Sequence, residues 1–192
     1  MFKFGNKKLG DDTVIFNLGT AKNCPSKKLG MCNAIKCGAR CYALKAEIQY
    51  PRTVPNYRVH QLEYWDATGD DEILEDISSR IKRRRKPTRY FRFNESGDFR
   101  TQQDVNRLSK ITEGLKGEGL TVYGYTARRD LDFRNVEFLV KGSGHSGGNN
   151  GRTTIIGKKE AVPKGYIECP GSCITCDLCK EPTGVNIAFR KH

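Results

Sequence analysis

The residues with the clearest capacity for chemistry are eight cysteines, which fall into two groups at opposite ends of the chain. The first group is Cys24, Cys32, Cys37 and Cys41. The second group is Cys169, Cys173, Cys176 and Cys179. Clustered thiolates are the ligands that zinc and iron–sulfur clusters prefer, so both groups are candidate metal sites.

The second group has the spacing C-x3-C-x2-C-x2-C, with three cysteines at successive steps of three residues. Such steps place thiolates around a compact object, as an iron–sulfur cube requires. The pattern is the bacterial ferredoxin run read backwards, and in that run the fourth cysteine serves another cluster. Cys169 is therefore the member most easily separated from the other three. Zinc stays open as the alternative, although the long insert between two knuckles of a zinc ribbon is missing.

The first group has the spacing C-x7-C-x4-C-x3-C, and Cys37 and Cys41 are four residues apart, as on one helical face. Basic residues surround the thiols: Lys27, Lys28, Lys36 and Arg40. Nearby cations lower the pKa of a thiol and offset the charge of a thiolate centre. We therefore predict that both groups are metal-bound, with one or two [4Fe-4S] clusters, and with zinc as the alternative.

Composition and charge limit the class of protein. The chain has 192 residues, 36% of them hydrophobic, and a formal net charge of +12. Two four-thiolate metal centres, each with a charge of about −2, would lower this net charge to about +8. No apolar run approaches the roughly 18 residues that cross a membrane. The first residues lack the apolar core of a secretory signal, so we expect a cytoplasmic protein with no membrane partner. Disulfides are a weaker alternative, because a reducing compartment disfavours them.

The order of predicted elements indicates an α/β fold: one domain with a parallel or mixed sheet, possible also as a partial barrel. Strands are predicted at 13–18, 89–94, 120–125, 136–141, 153–157, 165–169 and 185–189. Helices are predicted from Ala39 or Arg40 to 49, at 55–65, from Asp70 or Asp71 to 86, and from a Thr101 cap to 117. We expect residues 1–141 to form the core with the first cysteine group. Residues 142–192, a glycine-rich loop and the second group, should pack on it.

Three predicted strands end in loops with distinctive side chains. These loops are the first cysteine group, the polar turn Glu95–Phe99, and the stretch from Thr126 to Asp130. Sites in parallel sheets collect at the carboxyl ends of the strands, so we expect the three loops to converge.

Several motifs together resemble a bacteriophage family known as gene product 88. They are the first cysteine group followed by YALKAE, then RFNESGDF, YGYTAR, and a closing C-x2-C-x2-C with IAFRKH. The resemblance spans nearly the whole chain, with the motifs in the family's order. It implies a phage- or prophage-encoded protein of the host cytoplasm with an iron–sulfur site.

A looser resemblance is to radical SAM enzymes, which are partial barrels. Cys37, Cys41 and Tyr42 are similar to the start of their C-x3-C-x2-C signature. The residues at the position of their SAM amino-group contact are Glu95, Ser96, Gly97 and Asp98. Leu44 replaces the third cysteine, and four thiolates close a cubane, so we expect no radical SAM turnover.

Three functions remain open on the sequence. The leading one is a redox or structural iron–sulfur protein with a redox partner. The others are a radical SAM-like enzyme and a zinc-stabilised nucleic-acid-binding protein, the last suggested by the basic run Lys82–Lys86. Such a run more often completes a helix carboxyl end. Arg128 and Arg129 are candidate phosphate ligands, but ion pairs with Asp130 or Asp132 are the simpler expectation.

Overall fold

The computed structural model describes residues 1–32, 34 and 41–191. Cys37, the predicted helix start at Ala39 or Arg40, and His192 lie outside these residues. The described chain forms one eight-stranded mixed sheet with five helices, and the sheet is not closed. The predicted single-domain α/β fold is thus confirmed.

The strands are β1 Lys3–Asn6, β2 Gly10–Leu18, β3 Tyr90–Gly97, β4 Thr121–Thr126, β5 Leu139–Ser143, β6 Arg152–Ile156, β7 Tyr166–Glu168 and β8 Asn186–Arg190. The helices are α1 Pro25–Lys28, α2 Tyr42–Gln49, α3 Val54–Ala67, α4 Asp70–Lys82 and α5 Gln102–Gly117.

The sheet order is β1-β2-β3-β4-β5-β6-β8-β7. β1 pairs with β2 antiparallel, and the remaining neighbours pair parallel. From β2 to β6 the strands are adjacent in chain order, which brings their carboxyl ends to one edge. Two cross-strand pairs matter below: Arg92 faces Tyr123 across β3 and β4, and Tyr125 faces Lys141 across β4 and β5.

One face of the sheet carries the hydrophobic core. Alternation along the strands puts Phe16, Phe91 and Phe93 on this face. The Phe93 ring stacks on both others, with centroids 6.0 Å from Phe16 and 6.3 Å from Phe91. Apolar stripes of α3, α4 and α5 pack against them through Trp65, Ile73, Ile77, Val105, Leu108, Ile111 and Leu115. Burial of these side chains, at roughly 1.5–3 kcal/mol each, is the main stabilisation of the fold.

The opposite face of β3, β4 and β5 is polar and aromatic. We call it the polar face, and it comprises Tyr90, Arg92, Tyr123, Tyr125 and Lys141. Its members alternate with core residues, as the two-residue period of a strand requires.

The structure corrects three local predictions. β3 extends to Gly97, so Glu95 and Ser96 belong to a strand and not to a turn. The strand is irregular there, because Asn94 has φ 55°, and the pairing register shifts between Phe16 and Leu18 of β2. Helix α4 is capped by Gly69, and neither predicted aspartate caps it.

The third correction concerns β1, which was not predicted because its four residues are too short for a visible alternation. Two predicted boundaries also move. The predicted fourth strand starts at Leu139 and not at Val136. Helix α4 ends at Lys82, several residues before the predicted end at Lys86.

The connection from β7 to β8 is unusual for a parallel pair. It is residues 169–185, which we call the cysteine segment, and it contains neither helix nor strand. Such crossovers normally run through an α-helix. Among residues 157–185 only Lys180 is buried, so this part of the chain has little core of its own.

Candidate metal centre and strand-end site

The predicted convergence of the three strand-end loops is confirmed at Asp98. Its Oδ2 accepts hydrogen bonds from the Ser26 hydroxyl at 2.5 Å and the Ala127 amide at 2.9 Å. Its Oδ1 accepts from the Thr126 hydroxyl at 2.7 Å and the Phe99 amide at 2.9 Å. One carboxylate thus joins the first cysteine loop, the end of β3 and the end of β4.

Asp98 is 4% exposed. Burial raises its pKa, against the opposing effect of its four hydrogen-bond donors. Because these donors occupy both oxygens, Asp98 acts here as an anchor for the loops.

The other residues of the predicted cofactor-binding stretch also have partners within the chain. The Glu95 carboxylate accepts from the Asn6 amide group at 2.7 Å, and the Glu95 carbonyl accepts from the Tyr42 hydroxyl at 2.6 Å. The Ser96 amide donates to Asn17 Oδ1 at 2.7 Å. Binding of a cofactor by these residues stays a prediction.

The backbone at Gly97 admits only glycine. It has φ +76°, and a Cβ placed on it would lie 2.3 Å from the Leu18 carbonyl oxygen. β2 and β3 therefore touch at this point in a way that no side chain permits.

The start of the first cysteine loop lies beside this anchor, because Ser26 donates to Asp98. Cys24 precedes α1 and Cys41 precedes α2. Burial, then the charge of Asp98, raises the pKa of Cys24 to about 12, with a smaller contribution from Cys32. The free Cys24 thiol is thus held in its protonated form near neutral pH. Cys37 lies outside the described residues.

The second cysteine group is tied to the sheet by backbone hydrogen bonds. The Cys173 amide donates to the Lys8 carbonyl at 3.0 Å, and the Cys169 amide donates to the Ala188 carbonyl at 2.9 Å. Lys180 donates from Nζ to the Cys173 carbonyl at 2.9 Å and lies 4.2 Å from the Tyr90 ring centroid. The cysteine segment therefore lies over the polar face.

Two buried cations of the polar face have no carboxylate partner in the described chain. Arg92 is 8% exposed, and its guanidinium lies 4.5 Å from the Tyr125 ring centroid and 5.6 Å from that of Tyr123. Lys141 is 1% exposed and donates from Nζ to the carbonyls of Asn150 at 2.5 Å and Val185 at 2.8 Å.

These cations act on the thiols of the cysteine segment. Burial raises the pKa of Cys179, but the Tyr125 hydroxyl and the charges of Lys141 and Arg92 oppose that rise. Burial also raises the pKa of Cys173, against the charges of Lys8 and Arg92. Cations thus act on both thiols, although burial outweighs them and the pKa values of Cys173 and Cys179 are raised.

No assembled ligand set is present in the part of the chain that the structure describes: three or more His, Cys, Asp or Glu side chains do not come together as a metal-binding group. The seven described cysteines are free thiols, so none of them forms a disulfide. Soft thiolate donors beside buried cations nevertheless fit an anionic thiolate–metal centre in chemistry and charge.

Other charged candidates are engaged within the protein. In the basic run, Lys86 pairs with Asp11 at 2.5 Å, and Arg84 lies 4.0 Å from the Phe4 ring centroid. Lys82 pairs with Glu118 at 3.1 Å. These contacts support the role of a structural helix end.

The predicted ion pair at the end of β4 is confirmed. Arg128 binds Asp130 through two hydrogen bonds of 2.8 Å each.

The fold and site define an α/β protein with an open mixed sheet and a cysteine-rich crossover on its polar face. The chain belongs to the Gene product 88 family, whose family model matches residues 1–143. The predicted bacteriophage family is thereby confirmed, whereas similarity to radical SAM enzymes is not shown. No curated protein and no solved structure matches the chain.

The family match ends before the second cysteine group, so it covers less of the chain than the motifs indicated. Among the described residues, the structure contains no helix with the length and apolar character that a membrane crossing requires.

Sequence reasoning missed Arg92, Tyr123 and Lys141 as site residues. The signal was present for Arg92, because a charged residue between Phe91 and Phe93 interrupts an apolar strand. Lys141 likewise follows the apolar run at the start of β5. A cation inside a parallel strand must find an anion or acceptor, which is a usable signal.

Proposed function

We propose that this protein is an iron–sulfur protein whose cysteine segment holds a [4Fe-4S] cluster against the polar face of the sheet. The observation that carries the proposal is a pair of buried cations that form no salt bridge in the described chain: Arg92, whose charge acts on Cys173 and Cys179, and Lys141, whose charge acts on Cys179.

The argument is electrostatic. A buried charge without a counter-charge costs several kcal/mol. A four-thiolate cluster in its oxidised state carries about −2 and would supply the missing negative charge. Two cations, one on β3 and one on β5, would then stabilise the bound centre from both sides.

The residues that would hold the centre are Cys173, Cys176 and Cys179, with Cys169 as the fourth ligand. A cluster supplies one-electron redox chemistry when bound. The role that fits is electron transfer to a redox partner, or stabilisation of the β7–β8 crossover. Cys24, Cys32, Cys37 and Cys41 are proposed as the ligands of a second cluster.

Metal analysis after anaerobic purification tests the proposal. We expect brown wild-type protein with about four iron and four sulfide per cluster. Cys179→Ser should lose the iron of one cluster, and Cys24→Ser, the same substitution in the first group, should leave that cluster in place. Colourless wild-type protein with stoichiometric zinc would contradict the proposal and favour the zinc alternative.

A second candidate is a radical SAM-like enzyme. It is favoured by the adjacent parallel order of β2 to β6 and by the meeting of the first cysteine loop with the ends of β3 and β4. The saturated hydrogen bonding of Asp98 disfavours that residue as a SAM contact. Formation of 5′-deoxyadenosine from SAM and reduced protein, lost in Cys41→Ser, would establish this activity.

A further inference from the structure

Four buried hydrogen-bond donors on β3 and β4 have no partner in hydrogen-bonding geometry within the described chain. They are Arg92 Nε, Asn94 Nδ2, the Ser96 hydroxyl and the Tyr123 hydroxyl. Each of these residues is at least nine-tenths buried. Buried polar groups are nearly always hydrogen-bonded, so unpaired donors call for an acceptor.

Two of the four donors lie together on the polar face. Arg92 and Tyr123 are direct cross-strand partners in the β3–β4 register. The Arg92 guanidinium uses its Nη2 only in a long 3.4 Å contact with the Tyr42 hydroxyl. Its Nε has no partner in hydrogen-bonding geometry in the described structure.

The same two side chains lie beneath the cysteine segment. Lys180 anchors that segment over Tyr90, and the Tyr90 ring meets the Tyr123 ring edge to face at 6.2 Å. The charges of both Cys173 and Cys179 act on Tyr123 and on Arg92. Arg92 and Tyr123 therefore lie on the face of the sheet that the cysteine segment covers, within electrostatic range of Cys173 and Cys179.

We propose that Arg92 and Tyr123 are positioning residues that donate hydrogen bonds to the sulfur atoms of the iron–sulfur centre on the cysteine segment. This inference rests on the proposed function. Sulfide and thiolate sulfurs accept hydrogen bonds, and donors to them raise the reduction potential because the reduced cluster carries more negative charge. Arg92 adds its positive charge to the same effect.

The test is the midpoint potential of the anaerobic protein in a dithionite titration followed by visible absorption and EPR. Dithionite gives one electron to the cluster, and no covalent bond forms or breaks. Tyr123→Phe removes the unpaired hydroxyl and little else, and Arg92→Gln removes the guanidinium charge. We expect each variant to shift the reduction equilibrium about tenfold toward the oxidised state, which is about 59 mV for one electron.

Tyr64→Phe is the matched control, because its hydroxyl bonds Asp76 at 3.2 Å on the helical side of the sheet. It should keep the wild-type potential. Iron and sulfide contents are measured for every protein. Wild-type iron with unchanged potentials in both test variants would overturn this inference and leave the proposed function intact. Wild-type protein without iron would overturn both.

Loss of the cluster in a variant is also decisive. A Tyr123→Phe protein that has the wild-type apo-protein's urea midpoint but holds no iron would support the inference, because the hydroxyl then acts on the centre. A lowered urea midpoint of the apo-protein would overturn it, because the hydroxyl would then stabilise the fold itself.

Discussion

The two cysteine groups lie in opposite surroundings. The first is fixed by the protein's own contacts, with a buried carboxylate, Asp98, that joins its loop to two strand ends. The second lies on an irregular segment with one buried residue, Lys180, and faces buried cations. The described part of the first region is held by hydrogen bonds within the chain, whereas the second lies near buried cations without a salt bridge and donors without a partner in the described chain.

Under the proposed function, this difference predicts that the second region depends on a bound group more than the first does. Removal of a metal should change little where hydrogen bonds already define the structure. It should change much where an anionic centre is the missing counter-charge, because metal binding is then coupled to local folding.

The largest expected effect is therefore on the cysteine segment when metal is removed. The amides of Cys169 and Cys173 bond to Ala188 and Lys8, and these bonds should open in the metal-free protein. Hydrogen exchange at the two amides should accelerate on the order of a hundredfold, as local unfolding predicts. The Ala127 amide, bonded to Asp98, should keep its rate. Equal protection with and without metal would show that the second group is not ligating.

Replacing the anchor should damage the first region severely. Asp98→Ala leaves four buried donors unpaired. We expect a loss of about 3–5 kcal/mol in the free energy of unfolding, since each unpaired buried donor costs about 1–3 kcal/mol and water recovers part of this. Urea denaturation measures it. Asp132→Ala, at a surface ion pair with Arg134, is the control and should cost far less. Similar losses in the two variants would contradict the anchoring role.

Substitutions at two glycines test how tightly each region is packed: Gly97 at the end of β3, and Gly171 in the cysteine segment. Gly97 and Gly171 have φ +76° and +87°, but a Cβ on Gly97 would strike the Leu18 carbonyl, while one on Gly171 would meet nothing within 4 Å. Gly171→Ala should cost only the left-handed backbone penalty, about 1–2 kcal/mol. Gly97→Ala should cost about 2–4 kcal/mol, because the strands must also separate. Urea midpoints of the two apo-proteins decide the order, and equal costs would refute the difference in packing.

A baseline comes from Asp104 in the first turn of α5. Its carboxylate accepts from Trp65 Nε1 at 3.0 Å and from Arg100 Nη2 at 2.8 Å. Burial alone would raise the pKa of Asp104, but the hydrogen bonds from Arg100 and Trp65 outweigh it and lower the pKa.

The pH dependence follows from that direction. The stabilisation by Asp104 is present above the unfolded pKa of about 3.9 and is lost as pH falls through the lower folded pKa. Asp104→Asn should cost about 1–2 kcal/mol at pH 7, and its difference from wild type should shrink below about pH 4. Denaturation at several pH values checks this. A difference in unfolding free energy between Asp104→Asn and wild type that grows in acid would contradict a lowered pKa of Asp104.

Much of the fold could be predicted because its signals are local. The helices carry apolar stripes such as Ile73 and Ile77, and the strands alternate around residues such as Phe91 and Phe93. The extension of β3 through Glu95 and Ser96 could not be predicted, because the Ser96 backbone amide donates to the side chain of Asn17 from β2, and the Glu95 carboxylate accepts from Asn6 of β1. Such a partner is distant in sequence and leaves no local pattern.

The meeting of the strand-end loops was predictable from the sequence, whereas ligation by the thiols stays a prediction. The roles of Arg92 and Lys141 were not predictable, since their significance depends on which strand neighbours which and on where the cysteine segment lies. A cation in a strand is visible in the sequence, but its missing counter-charge becomes visible only in three dimensions.

The short strand β7, which covers the edge of β8, links the crossover to the solubility of the protein. β7 has three residues and ends the sheet, and its Ile167 is 44% exposed. Short edge strands protect a sheet from pairing with other chains. If β7 detached, the longer β8 would become the edge and present its unpaired backbone to neighbouring molecules. Since the cysteine segment is the covalent link between these strands, its condition decides whether the sheet ends in a protected edge or in one prone to aggregation.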